Sequence, residues 1–154
     1  MRNSLTRALF TACLFALTAS GCGGEPKSAP EQELRAWVDD GLEAAEAKER
    51  RRLVGMVSPA YTDSRGNERS DIEELLRFYM FRQNRIALLP DIEEITVYDD
   101  TAAMIVMTVA MAGTNDSILG FSADAYRFAF ELEKDGDEWQ LISARWGELG
   151  DELR

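Results

Sequence analysis

The chain has no histidine among its 154 residues. That removes the usual general base, the usual activator of a serine or cysteine nucleophile, and the commonest metal ligand together. Ser-His-Asp and Cys-His catalysis and most zinc sites are excluded with it. Cysteine is scarce too: only Cys13 and Cys22 occur, so residues 23–154 contain no thiol and no disulfide. A domain in an oxidising compartment without bridges must be stabilised by its core alone. Positive charge is the third shortage. There are 17 basic against 28 acidic residues, for a net charge of −11. Such an acidic body is expected to be a poor partner for nucleic acid or for anionic lipid headgroups, which need clustered positive charge.

Long apolar runs are absent as well. The one at Ala8–Thr18 is too short to span a bilayer, which takes ~20 apolar residues. It follows a basic start (Arg2, Arg7) and precedes the small residues Ala19, Ser20 and Gly21. This is the pattern of a secretory signal peptide over residues 1–21. Cys22 follows directly, and Leu17 to Cys22 resembles the bacterial lipobox, with Ala19 where leucine is commoner. The resemblance implies that Cys22 carries a diacylglyceryl group, becomes the new N-terminus and anchors the protein in the bacterial cell envelope. The alternative is an ordinary cleaved signal with Cys22 an incidental residue. Gly23, rather than aspartate, after the cysteine points by the same resemblance to the periplasmic face of the outer membrane. Residues 22–29 read as a lipidated tether. Gly23–Ser28 reaches only ~20 Å when extended. Residues 30–154 are of single-domain length.

Within that domain, Ser28 with Glu31 reads as a capping box with Pro30 in the first turn. Leu34, Trp37, Val38, Gly41, Leu42 and Ala45 then recur at helical spacing, with Trp37 as a core residue. Lys48–Arg52 continues this helix or begins a second one, and its arginines read as a solvated face. Tyr61–Arg69 is a polar loop with a turn at Gly66-Asn67; Asp63 and Glu68 lack the spacing of a calcium loop. Ser70 with Glu73 reads as a second capping box, ahead of Ile72, Leu75, Leu76, Tyr79 and Met80.

From Ile86 the apolar period falls toward two. Four strands are expected at about 86–98, 101–113, 120–134 and 137–147, with turns at Asp99-Asp100 and Asp135-Gly136. If Asp135-Gly136 is a two-residue turn, Leu132 faces Trp139 and Phe130 faces Leu141. Phe128 and Phe130 then look toward the helices, while Ala125, Ala129, Ile142, Ala144 and Trp146 form a second apolar side, with Arg127 its charged exception. The strand 101–113 is apolar on both faces, so a second cover is expected. That cover is another chain or the domain's own loops; a homodimer through this second face would supply it, Trp146 acting as anchor and Arg127 pairing with an acid of the partner.

The predicted class is α+β: N-terminal helices on a curved four-stranded or longer antiparallel sheet, cone-like. This order of elements resembles the nuclear-transport-factor-2-like superfamily, which includes ketosteroid isomerases. The Val57–Gly66 passage, the hairpin at Val97–Ala102 and Trp139-Gln140-Leu141-Ile142 near the end contribute to the resemblance. It implies a pocket between helix and concave sheet, and dimers through the sheet; it implies no particular activity. Two functions remain open. One is non-catalytic binding of a small apolar ligand or an envelope protein, without cofactor or metal. The other is an acid–base enzyme of isomerase or dehydratase type, with Asp124 and Tyr79 as candidate catalytic groups. Tyr61, Tyr79 and Arg127 are the candidate ligand contacts, and Tyr98 and Tyr126 fall near the expected pocket walls.

Overall fold

A computed structural model describes residues 28–83, 85–114 and 121–154. The expected signal, Cys22 and most of the tether lie outside the described residues. Three helices precede four strands: α1 (Ala29–Glu46), α2 (Arg50–Gly55), α3 (Arg69–Arg82), β1 (Arg85–Asp99), β2 (Ala102–Thr114), β3 (Phe121–Asp135) and β4 (Glu138–Glu148). The strands form one antiparallel sheet in the order β1-β2-β3-β4. The curved sheet closes against the helices, as expected for a cone of α+β class.

Ser28 caps α1 through its Oγ, which accepts from the Glu31 amide at 3.3 Å. The Glu31 carboxylate itself goes to Arg35. Lys48, at φ 59°, ends the run, and α2 starts as a separate helix. Its arginines are held by acids: Arg50 pairs with Glu73, and Arg52 with Asp40, Glu43 and Glu49. The capping box of α3 sits two residues earlier than Ser70/Glu73. The Glu68 side chain accepts from the Asp71 amide, and Asp71 accepts from the Glu68 amide at 2.8 Å. The bridge Thr62↔Glu68 holds Glu68 extended, so the helix can start there, and Glu73 is left for Arg50.

Every strand lies within one residue of its expected bounds, but the last hairpin is registered differently. The turn residues are Gly136 and Asp137, with Asp135 opposite Glu138. Gly136 takes φ 65°, the left-handed value a two-residue hairpin loop demands of its first position. A bulge between Leu132 and Glu131 then shifts β4 once more. Phe130 therefore faces Ala144, and Phe128 faces Trp146. Ala144 and Trp146 belong to the concave face, not to the outer one the two-residue turn at Asp135-Gly136 had assigned them, because one slip moves a whole side-chain set.

The main core joins Leu34 and Val38 of α1 to Ala103, Ile105, Met107 and Val109 of β2, Leu132 of β3 and Trp139 of β4. Trp139 Nε1 donates to Glu33 at 3.0 Å, and Lys134 Nζ reaches the same carboxylate at 2.7 Å, tying the start of α1 to the β3–β4 turn. A second cluster holds Val57, Tyr61 and Ala144, with Ile72, Leu141 and Trp146 around it. Residues 56–62 run along β4: Leu141 N donates to Met56 O, Ser58 N to Leu141 O, and Thr62 N to Ile142 O. This covers a sheet edge that would otherwise be open to another strand.

On the convex face Val106 is buried beside its pairing partner Ala129. Arg127 meets its own chain there. A bulge at Glu93 turns that carboxylate onto the Arg127 guanidinium at 2.7 and 3.0 Å and onto Thr108 Oγ1 at 2.8 Å. Within the chain, Arg127 is thus paired with Glu93.

Candidate functional site

The helical spacing of α1 turns Trp37, Gly41, Leu42 and Ala45 toward the sheet, and the close approach of α2 narrows the gap above it. A Cβ on Gly41 would stand 3.3 Å from Met56 Cε, so glycine lets the two helices meet. Between them and the sheet lies a cavity of about 320 Å³. Its floor is Leu88, Met107, Val109, Met111, Phe128, Phe130, Leu141, Ala144 and Trp146; its roof adds Leu53, Met56, Val57, Ile72 and Leu76. Phe130 meets Trp37 edge-on at 6.1 Å and Phe128 at 5.3 Å, a stack of aromatic faces across the site.

Among the described residues, no carboxylate, amine or guanidinium lines this space. Two polar atoms bear on it. Trp37 Nε1 is buried and has no hydrogen-bond partner among the described residues. The Tyr61 hydroxyl donates to Asp63 Oδ2 at 3.1 Å. Asp63 is the only buried charged side chain among the described residues. It also accepts from Arg65 N, Asn67 N and Asn67 Nδ2 at 2.8–2.9 Å. Burial pushes its carboxyl up, but the donations from Asn67, Arg65 and Tyr61 outweigh this and hold it below the ordinary carboxylate range. Burial, and next the charge of Asp63, push the Tyr61 hydroxyl well above its ordinary value. The pair is a satisfied ion and its donor, with the carboxylate spent on the 63–67 turn.

Of the residues singled out by sequence, the structure places Tyr61 in the cavity wall. Tyr79 is 58% exposed and lies outside the lining, and Asp124 is exposed. Arg127 sits on the opposite face of the sheet. Tyr126 stacks near Phe128 at 6.4 Å, its hydroxyl raised by burial and then by nearby Tyr79, Asp124 and Glu148. Tyr98 is exposed on β1. Tyr61 and Asp63 are thus brought together, while Asp124, Tyr79 and Arg127 are not gathered at the cavity. Asp63 was passed over in the sequence as loop polarity; the signal was Asp63 three residues ahead of Gly66, an aspartate poised to fold a turn onto itself.

No family model and no curated protein matches the chain by sequence. Solved structures match it by shape. A protein of Novosphingobium aromaticivorans named "Putative Scytalone Dehydratase" superposes with a TM-score of 0.70 at 9% identity, over 77% of this chain and 83% of that one. The fold is the nuclear-transport-factor-2-like cone. A ketosteroid isomerase-like protein of Erwinia carotovora atroseptica has a TM-score of 0.66 at 12% identity, over 81% of this chain and all of its own. A nuclear transport factor 2-like superfamily protein of Salmonella enterica serovar Typhimurium has 0.64 at 16% identity, over 77% and 90%. The cavity described above is the interior of this NTF2-like cone, between its long helix and its concave sheet. Among the described residues there is no cluster of three or more metal-ligating side chains, and no helix is long and apolar enough to cross a membrane.

Proposed function

We propose that the protein binds a small, uncharged, apolar molecule inside the cone and performs no acid–base chemistry on it. The carrying observation is the lining: among the described residues, tyrosine is its one titratable type, and Tyr61 is committed to Asp63. An uncharged wall offers no compensation to a charged ligand, whose desolvation would go unrepaid. An apolar cavity of ~150 Å³ takes up benzene. A cavity of about 320 Å³ suits a bicyclic hydrocarbon or a short acyl chain.

The enzyme reading draws on shape neighbours named as a dehydratase or as isomerase-like. Its one local support is the Tyr61–Asp63 pair. A general base needs a free lone pair and a pKa near the working pH. Asp63 accepts four hydrogen bonds and titrates low, which makes it a poor base. Asp124 and Tyr79 stand outside the lining, so binding is the better-supported function.

The leader and Cys22 motif support placing this binder on the envelope as a lipoprotein, and the partly apolar convex sheet supports a homodimer. Native mass spectrometry of the protein extracted from its own membrane tests the binding reading. A retained neutral ligand of a few hundred daltons is expected; a charged or strongly polar one would overturn it.

A further inference from the structure

The second half of α3 and the start of β1 have a composition unlike the rest of this acidic chain. Between Glu74 and Asp91 there is no acidic residue, while Arg77, Arg82 and Arg85 are present. The same stretch carries large apolar side chains that the fold leaves in solvent. Phe81 is 89% exposed, Leu89 74%, and Phe78 54%. Phe78, Phe81 and Arg82 lie on the side of α3 away from Ile72 and Leu76, which face the cavity. Arg82 holds its guanidinium 5.1 Å over the Phe78 ring. Among the described residues, Arg82 and Arg85 have no acidic partner within salt-bridge distance, unlike Arg50, Arg52 and Arg127.

Aromatic rings beside arginines near the end of a helix are the chemistry of a bilayer interface. The rings enter the headgroup–acyl boundary and the guanidinium groups meet lipid phosphates. The net charge of −11 does not prevent this, because screening at physiological salt confines each charge to ~8 Å. On the outer side Glu74, one turn before Phe78, is balanced by Arg77 at 3.6 Å, which leaves Arg82 in excess; Asp124 and Glu148 lie near Tyr126. We infer that the outer side of α3, with Arg77, Phe78, Phe81 and Arg82, docks on an anionic lipid surface. It would do so whether or not the chain is also lipidated. If the cavity binds an apolar molecule, as proposed above, α3 puts its opposite side on that cavity, so the ligand would meet the protein at the bilayer.

The test uses the full chain with Cys13→Ser and Cys22→Ser, so that one added cysteine can carry an environment-sensitive fluorophore. The label is placed at Phe81→Cys, or for comparison at the exposed convex-face position Glu131→Cys. With phosphatidylcholine–phosphatidylglycerol vesicles, the emission at 81 is expected to shift to the blue and that at 131 to stay put. Arg77→Gln with Arg82→Gln should weaken the response roughly 30-fold in lipid concentration, and phosphatidylcholine alone should behave similarly. Circular dichroism confirms that each variant is folded. No shift at 81, or an equal shift at both positions, overturns the docking surface. So does a blue shift at 81 that appears without lipid and grows with protein concentration, which would mean a second copy covers it. Ligand retention is read separately, so failure here leaves the binding function intact and failure there leaves the docking surface intact.

Discussion

The Tyr61 hydroxyl donates to Asp63 Oδ2 at 3.1 Å, and through that bond a tyrosine of the cavity wall is tied to the turn behind it. Asp63 gathers four donors, so its loss leaves the buried Tyr61 hydroxyl and three part-buried N–H groups without this partner. Asp63→Ala is expected to cost about 3 kcal/mol of stability. The measurement is urea denaturation, and a change below ~0.5 kcal/mol would mean the turn does not depend on this carboxylate.

The same carboxylate gives the protein a defined acid limb. Its pKa is lowered in the folded state, so near the ordinary value of ~3.9 the unfolded chain binds more protons than the folded one. The contribution is complete above that value and is lost as pH falls through the folded pKa. Asp63→Asn should therefore flatten the fall in melting temperature below about pH 4 relative to the parent protein. Parallel acid limbs in parent and variant would contradict this.

Core and surface leucines should separate cleanly. Leu132 is 1% exposed between α1 and the sheet, and Leu132→Ala should cost about 2–5 kcal/mol. Leu89 is mostly in solvent, and Leu89→Ala should stay within about 0.5 kcal/mol. Equal effects would mean that β1 and the core are packed differently.

The β4 bulge changes what a tryptophan substitution reports. The Trp146 ring packs in the second cluster under the Arg65 guanidinium at 4.2 Å. Trp146→Glu should therefore destabilise the fold by about 3 kcal/mol or more, not act as a clean disruptor of a sheet-mediated dimer. The dimer is better tested from the convex face. If it forms there, light scattering should give twice the monomer mass, and Met104→Arg should halve it with the circular dichroism retained. A parent monomer at micromolar concentration would exclude the dimer.

Much of this was legible in the sequence because it rests on periodicity. The four strands, the buried stripe of Leu34 and Val38, and the inward set Phe128, Phe130 and Leu132 follow from spacing alone. The bulges were not legible. Nothing in Ile142-Ser143 marks an extra residue, nor that the passage 56–62 pairs along β4 beside it. Nothing in the spacing around Glu93 marks the bulge that turns it onto Arg127. Tyr61 could be placed near a wall, but the partner that decides its chemistry, Asp63, is buried by contacts made within a polar loop. Composition gives no sign of such burial.

The claim that the cone is an uncharged binding cavity is tested most directly by calorimetric melting with naphthalene and with its charged analogue 2-naphthoate. Naphthalene should raise the melting temperature with the logarithm of one plus its free concentration over its Kd, because it binds only the folded form. 2-Naphthoate should not. Ala45→Phe, which fills the cavity from α1, should abolish the rise. Tyr61→Phe should preserve it, since that hydroxyl is spent on Asp63. Stabilisation by the carboxylate equal to or greater than that by naphthalene, or loss of the naphthalene response in Tyr61→Phe, would contradict the account.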